Sequence, residues 1–279
     1  MTAVAARARG LETTVLAAPV LAELERARDG RELAELLARA GLPGLAGAPA
    51  IERAVRARAG HDLVTLARWS HAIAPLALDE DRRSLRALVR GLASGISSER
   101  RLAGTVPTAL LPARALAELA EAPTVEELAA LLADHPLAPA LAAATKPVDL
   151  LALELALTRR FGELASTRDR ALRTYLAQVI DTEHAIAALL LADRGHELDA
   201  RAEYARGGRL VDRATFVAAA AGPSGAARAR LASALAGTPL ARALFAAIPG
   251  ALEDAALAWQ LATQTRLRRM APLGLAPVI

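Results

Sequence analysis

The stretch of this sequence most suggestive of chemistry is EYARGGRLVDRATF, which places two adjacent glycines between apolar helical segments. Backbone N–H groups at a glycine turn ahead of a helix can bind an anion, so Gly207 and Gly208 are candidates for a phosphate-binding loop. No Lys-Ser or Lys-Thr pair follows them, as a phosphate loop of the Walker type requires. The sequence favours the other interpretation, a turn before a short helix with Asp212 as its N-cap.

The remaining candidate residues for chemistry do not form a complete set. Among the five histidines, only His184 has a carboxylate partner, Asp181, at the spacing of a metal pair on one helix face. A di-iron bundle needs a second carboxylate–histidine pair of this kind on a helix face, and the sequence predicts none. A capped or surface histidine is therefore the better interpretation of His184. GPSGA at 222–226 lacks the spacing of a nucleophile elbow. We therefore expect no catalytic, cofactor-binding or metal site.

The elements that carry these residues are predicted to be helices. The chain of 279 residues has 72 Ala and 49 Leu but only 7 aromatic residues. Ala and Leu lose little side-chain freedom in a helix, so the composition predicts an all-α fold. A core with few large rings requires helices to approach closely through Ala and to make many small contacts. This favours an extended helical assembly over a compact enzyme.

The charge of the chain does not point to nucleic acid. Lys146 is the only lysine, and the other 33 basic residues are arginine, so a net charge of only +4 produces a pI near 10.4. No basic block is interleaved with aromatic residues for stacking on bases, so we expect no nucleic-acid partner and a mostly solvated arginine face. Cysteine is absent, which excludes disulfides and thiolate metal sites.

The lack of long hydrophobic segments predicts a soluble, intracellular protein. The longest uncharged stretch, 214–227, has 14 residues and contains glycine and proline. It is well short of the ~20 apolar residues that cross a bilayer. The N-terminus has no continuous apolar segment of the kind found in signal peptides. A peripheral position on a membrane complex is compatible with these features.

Internal repetition is the strongest pattern. Residues 16–42 and 111–137 align without a gap at 14 identities in 27, against roughly one in seven expected by chance. The segment LLPARAL at 110–116 also aligns with LVDRATF at 210–216, which indicates a third copy. Each copy leads to a proline and an acidic residue at a predicted helix start: Pro49 and Glu52, Pro147 and Asp149, and Pro249 and Glu253. A further helix is predicted in the first two copies, over Asp79–Leu92 and Thr167–Asp193.

Four segments then occur in a characteristic order: ALRTYLAQVIDTEHAIAALL, YARGGRLVDRATF, GTPLARAL and LRRMAPLGLAPVI. Their order and spacing resemble the C subunit of the A-type and V-type rotary ATPases, which is known as the d subunit in the eukaryotic vacuolar enzyme. The resemblance covers most of the chain and is strongest from about residue 165. Members of the family commonly have, in the module helices, an asparagine followed by an aliphatic and a basic residue. At these places this chain has Ser84-Leu85-Arg86 and His184-Ala185-Ile186.

The resemblance implies a single all-α domain over 1–279 with three modules, about 1–92, 93–193 and 194–279, around a pseudo-threefold axis. Such a funnel is a non-catalytic socket that couples the central rotor stalk to the membrane proteolipid ring during proton or sodium transport. Its partners would be central-stalk subunits and the proteolipid ring, and its place the cytoplasmic membrane surface. A non-catalytic helical-repeat adaptor for another protein is the alternative.

Two expectations concern individual residues. The predicted partner contacts surround the glycine turn: Arg206, Gly207, Gly208, Arg209, Asp212 and Arg213. The third copy also lacks a counterpart of the helix that follows APL in the first. We therefore expect Leu257, Leu261 and Leu267 to be more exposed than Val55, Leu63 and Leu66 of the first module, and the tail after Met270 to be loosely held.

Overall fold

The computed structural model describes residues 6–8, 18–41, 48–142, 149–194, 199–246, 248, 250–270 and 275. These residues are mostly helical and include no β-strand, which confirms the predicted all-α class. By contacts the chain divides into two compact units, Ala6–Leu131 and Leu132–Ile279. Their boundary falls inside the second predicted module, and the threefold arrangement of modules stays a prediction.

The unit Ala6–Leu131 contains seven helices with bounds inside the described residues. They are α1 (Ala18–Leu24), α2 (Gly30–Arg39), α3 (Ala48–Ala67), α4 (Ala74–Ala93), α5 (Ser98–Ala103), α6 (Ala113–Glu121) and α7 (Val125–Leu131), with a 3-10 turn at His71–Ile73. Helix α5 packs against α3, α4 and α6. Helix α4 begins earlier than predicted because the proline of its APL motif fits the first helical turn.

The unit Leu132–Ile279 is arranged around one long helix. Its helices are α8 (Ala138–Ala142), α9 (Leu150–Leu164), α10 (Arg170–Arg194), α11 (Ala200–Glu203), α12 (Arg213–Ala220), α13 (Ser224–Ala234), α14 (Pro239–Ala243) and α15 (Ala251–Met270). Helix α10 contacts α9, α12, α13 and α15. The apolar core is rich in Leu and Ala, and the rings of Phe161 on α9 and Phe216 on α12 are fully buried.

Acidic caps explain several helix starts. Asp149 precedes α9 and accepts hydrogen bonds from the N–H groups of Leu151 and Ala152, at 2.9 and 3.2 Å. Its carboxylate also receives a hydrogen-bonded ion pair from Arg194, which together with these N–H groups lowers the pKa of Asp149 against the opposing effect of burial. The predicted acid at this helix start is confirmed. Pro147 and Pro249 lie outside the described residues.

Not every arginine belongs to a solvated face. Arg82 on α4 is 1% exposed, and its Nε and Nη2 atoms donate to Oδ1 of Asp79 at 3.0 and 2.8 Å. Both residues lie on one helix, three positions apart, so the ion pair forms as soon as the helix does. The expectation of a mostly solvated arginine face therefore has an exception in the buried part of the unit Ala6–Leu131.

Helix α10 contains the one window within the described residues that is long and apolar enough to cross a membrane. It covers Arg170–Ala192 at a mean hydropathy of 1.2. The core helix of a soluble protein meets the same criterion, and 78% of this window is buried inside the structure. Polar side chains of α10, among them Gln178 and Asp181, are also held by neighbouring segments, which fits a core helix.

The expected exposure of the final helix is correct for two leucines and wrong for the third. Leu257 and Leu261 are 58% and 72% exposed, whereas Leu267 is only 5% exposed. Leu267 is buried because it packs with Ala171 at the beginning of α10. In the first module Val55 is also exposed, at 46%, so exposure does not separate the two helices cleanly. Residues after Met270 lie outside the described residues, apart from Leu275, which is buried.

Candidate functional site

The glycine turn lies between α11 and α12 and closes around a carboxylate of this chain. Asp181 on α10 accepts hydrogen bonds from the backbone N–H groups of Arg209, Leu210 and Val211 at 3.0–3.2 Å. Its side chain is buried, at 1% exposure. Successive N–H groups in a turn form a concave anion site, and here an internal carboxylate fills it. The phosphate-loop interpretation is therefore replaced by an internal anion site.

Both glycines of the turn are required by the geometry. Gly207 has φ +121°, a backbone conformation that side chains disfavour. A Cβ atom at Gly208 would lie 2.5 Å from Oδ1 of Asp181 and 3.1 Å from Nδ1 of His184. The absence of a side chain at this position lets the carboxylate reach the backbone directly.

His184 holds the other side of the turn. It is buried, and Nε2 donates to the carbonyl oxygen of Ala205 at 2.9 Å, an assignment of the hydrogen that follows from the acceptor. The imidazole stacks on the ring of Tyr204, with centroids 4.5 Å apart. Burial lowers the pKa of His184 against the opposing effects of the Ala205 carbonyl and Asp181. The histidine is thus a core residue and not a surface one.

Asp212 begins α12 as predicted. Its carboxylate accepts from the N–H of Thr215 at 2.7 Å, the bond expected of an N-cap. The Thr215 N–H is also the main cause of the lowered pKa of Asp212. Asp181 and Asp212 therefore divide the backbone donors between them, one for the turn and one for the helix end.

The other unit contains a similar arrangement with one chemical difference. Asp81 and Ser84 on α4 hold the segment before α6, where Thr108 Oγ1 donates to the Asp81 carboxylate and the Val106 N–H donates to Ser84 Oγ. Thr108 Oγ1 then accepts from the N–H groups of Leu110 and Leu111 at 3.2 and 3.0 Å. The threonine hydroxyl stands between carboxylate and backbone, whereas in the second unit the carboxylate contacts the backbone directly.

A helix glycine meets the held segment in each unit. A Cβ atom at Gly60 of α3 would lie 2.5 Å from the carbonyl oxygen of Pro107. The corresponding distance at Gly162 of α9 is 2.5 Å, to the carbonyl oxygen of Arg206. In each unit, therefore, a glycine on one long helix and an Asp on the next fix the segment between them.

An open groove lies on one side of the glycine turn. Its volume is about 610 Å³, and we call it the arginine groove. The residues that line it are Arg159, Glu163, Arg201, Ala202, Tyr204, Arg206 and Arg213. Arg159 donates to Glu203 Oε2 at 2.8 Å and to the Ala202 carbonyl at 2.7 Å. Burial raises the pKa of Glu203 even with this guanidinium beside it.

A second groove of about 450 Å³ lies between α10, α15 and the glycine turn. Gln178 crosses it, donating to Thr263 Oγ1 at 2.9 Å and to the Trp259 carbonyl at 3.4 Å. Arg209 and Leu210 line this groove and not the first. The arginine groove is therefore lined by Arg206, before the two glycines, and the second groove by Arg209 and Leu210, after them.

The six predicted contact residues thus divide into three roles. Arg206 and Arg213 face the arginine groove, and Arg209 faces the second groove. Gly207, Gly208 and Asp212 shape the turn and the helix start. Sequence reasoning missed Arg159 and Arg201, and it considered Asp181 only as half of a metal pair. The only signal for Asp181 was its spacing from His184, which reflects two residues holding the same turn.

The fold and this site define an all-α protein in which buried side chains bind a turn, and arginine side chains line the grooves beside that turn. Among the residues that the structure describes, no group of three or more His, Asp or Glu could hold a metal ion. The family model described as ATP synthase (C/AC39) subunit matches residues 4–279, and the chain belongs to this family of non-catalytic V/A-type ATP synthase subunits. Comparison with curated proteins finds no match.

Proposed function

We propose that this chain is the rotor socket of a rotary A-type or V-type ATPase, peripheral on the cytoplasmic side of the membrane. In this role it couples the central rotor stalk to the proteolipid ring for proton or sodium transport. The observation that carries the proposal is the family match over residues 4–279. A match of this extent concerns the whole chain and not one shared module.

The mechanical demands of a socket agree with the internal contacts of the chain. A subunit that transmits torque must resist deformation at the segments that join its helices. Here the joining segment before α12 is fixed by a buried carboxylate, and that before α6 by a carboxylate and a hydroxyl. Buried, charge-assisted hydrogen bonds are among the stronger local restraints in proteins. These contacts support the stiffness of the joining segments. Contacts with the central stalk and the proteolipid ring are proposed and not observed.

We further propose that Arg206, Arg209 and Arg213 belong to a partner-facing surface of the socket. All three are exposed. The Arg209 N–H is bound to Asp181, the Arg206 carbonyl lies against Gly162, and Arg213 begins α12, so the backbone under these side chains is ordered before binding. The two grooves beside the turn provide the surfaces on which a partner would lie.

Affinity purification of the native protein from its own cells, in mild detergent, tests the proposed function. We expect central-stalk subunits and the proteolipid to co-isolate with the chain in fixed ratio. A matched purification of a tagged, unrelated soluble protein controls for carry-over of membrane material. Recovery of a different, stable set of partners without any rotary-ATPase component would replace the socket with the helical adaptor.

A further inference from the structure

The arginine groove collects cations from four separate segments. Arg159 comes from α9, Arg201 from α11, Arg206 from the glycine turn and Arg213 from α12. Arg201, Arg206 and Arg213 lie within 201–213, and the more distant Arg159 lines the same opening. The tertiary structure therefore adds Arg159 to arginines that are already close together in the sequence, and it forms one positively charged surface from them.

Within the described part of the chain, three of these four guanidinium groups lack a carboxylate partner. Arg159 is paired with Glu203 at 2.8 Å, and the acid of the lining, Glu163, is paired with Arg160 at 3.0 Å. Among the residues that the structure describes, Arg201, Arg206 and Arg213 form no ion pair, and Arg213 Nη2 donates to the Arg201 carbonyl at 3.1 Å. Like charges gathered in one groove repel one another, and an anionic partner relieves that repulsion. Among the described residues, no acid pairs with these three guanidinium groups, so the groove carries net positive charge.

The backbone beneath the groove is held in place. The carbonyl of Arg206 lies against Gly162, and the turn that follows Arg206 is bound to the Asp181 carboxylate. Arg159 is fixed by its bonds to Glu203 and to the Ala202 carbonyl. A surface ordered before binding loses little freedom when a partner arrives, which favours affinity.

The groove fits an acidic peptide segment better than a phosphate group. A small oxyanion is best held by donors converging on one point, with backbone N–H groups among them. Here the N–H groups of the turn are already bound to Asp181. The cations are spread along an opening of about 610 Å³ that the Tyr204 ring and Ala202 also line. This layout suits carboxylates spaced along a chain.

We propose that the arginine groove binds an acidic segment of a partner protein, whose carboxylates pair with Arg201, Arg206 and Arg213. Guanidinium groups accept carboxylates in a two-pronged geometry, which gives orientation as well as attraction. The inference rests on the proposed function only for the identity of that partner. The groove chemistry itself is testable on the isolated full-length chain.

The test titrates the full-length protein into a fluorescein-labelled peptide of alternating glutamate and glycine and measures anisotropy. A glutamine–glycine peptide of equal length is the neutral control. The charge-reversed variant is Arg206→Glu with Arg213→Glu. The matched control variant is Arg242→Glu with Arg269→Glu, two exposed arginines of the same unit that do not line the groove. Circular dichroism and thermal unfolding establish that each variant folds.

We expect the acidic peptide to bind, the neutral peptide not to bind, and affinity to fall with salt. The groove variant should bind at least about tenfold more weakly, whereas the control variant should stay within about twofold of the wild type. If the groove variant fails to fold, Arg206→Ala with Arg213→Ala replaces it, with the same expected direction.

Three results would overturn the groove proposal: no binding of the acidic peptide, equal weakening in both variants, or binding of tripolyphosphate in its place. The first leaves the groove without affinity for carboxylates, the second leaves only general electrostatic attraction, and the third makes the groove a phosphate site. None of them bears on the co-isolation of rotary subunits. Conversely, a purified native chain without those subunits removes the proposed function, while the titration still decides what the groove binds.

Discussion

At the residue scale, Asp181 links the long helix α10 to the turn that follows α11. One buried carboxylate satisfies three consecutive backbone N–H groups, those of Arg209, Leu210 and Val211. Left without an acceptor, buried N–H groups are costly, since they have given up water without gaining a partner. The turn therefore depends on this side chain as well as on its own glycines.

Replacement Asp181→Asn tests that dependence. The asparagine NH₂ group cannot accept a hydrogen bond, so some N–H groups of the turn would face a donor. We expect a loss of about 2–3 kcal/mol in the free energy of unfolding, measured by urea denaturation. Asp134→Asn removes the same charge at an exposed position and should change that free energy by less than about 0.5 kcal/mol. Equal effects in the two variants would contradict the role of Asp181.

His184 gives the chain a pH-dependent stability. Burial lowers its pKa in the folded state, so the unfolded chain binds the proton more readily. The contribution is fully present above the ordinary histidine pKa of about 6.5 and is lost as pH falls below it. We expect urea denaturation to show a smaller loss between pH 8 and pH 5 for His184→Asn than for the wild type. Parallel stability curves would count against this explanation.

At the element scale, the two units use one solution to join their helices. A glycine on one long helix, Gly60 or Gly162, admits the joining segment, and a carboxylate on the next, Asp81 or Asp181, holds it. The Asp81 carboxylate acts through the hydroxyl of Thr108, whereas Asp181 binds the backbone directly. The spacing between helix and segment is therefore kept by different side chains.

Replacement Gly162→Ala tests the close approach of α9 to the turn. The added methyl would meet the Arg206 carbonyl, which is backbone and has little room to move, so we expect a loss of about 1–3 kcal/mol. Gly225→Ala is the matched control, because no atom lies within 4 Å of its Cβ position. Alanine favours a helix, so the control should gain up to about 1 kcal/mol. Thermal and urea unfolding measure both, and a neutral Gly162→Ala would refute the contact.

At the scale of the whole molecule, the order of helices along the chain is consistent with repetition. Within the described residues, two or three short helices precede a long one in each of the segments that begin with α1, α6 and α12. The internal repeat and its threefold axis remain predictions, and by its internal contacts the chain forms two compact units.

We predict that the three modules superpose by rotations of roughly 120° about one axis, as closed cyclic pseudo-symmetry requires. The measurement is the rotation that best superposes α9 and its preceding short helices on those of the other modules. A linear stack, in which successive rotations do not return to the start, would favour the helical adaptor instead.

The local features of this protein follow from its residue types and their spacing. Ala and Leu content established the helical class, and the Asp residues before α9 and α12 marked where those helices begin. Such signals act between neighbours in the chain, so they can be predicted from residue types and spacing alone. The glycine turn belongs to this group, because its position before a capped helix was evident from the residues.

What the turn contacts and what surrounds it depend on packing between segments that are distant in the chain. The Asp181 carboxylate reaches Arg209 from 28 positions away, and Arg159 reaches Glu203 from 44. Burial of Leu267 likewise depends on α10 and not on its own helix. No local pattern encodes these pairings, because they form only when packing of distant helices removes water and brings the groups within bonding distance.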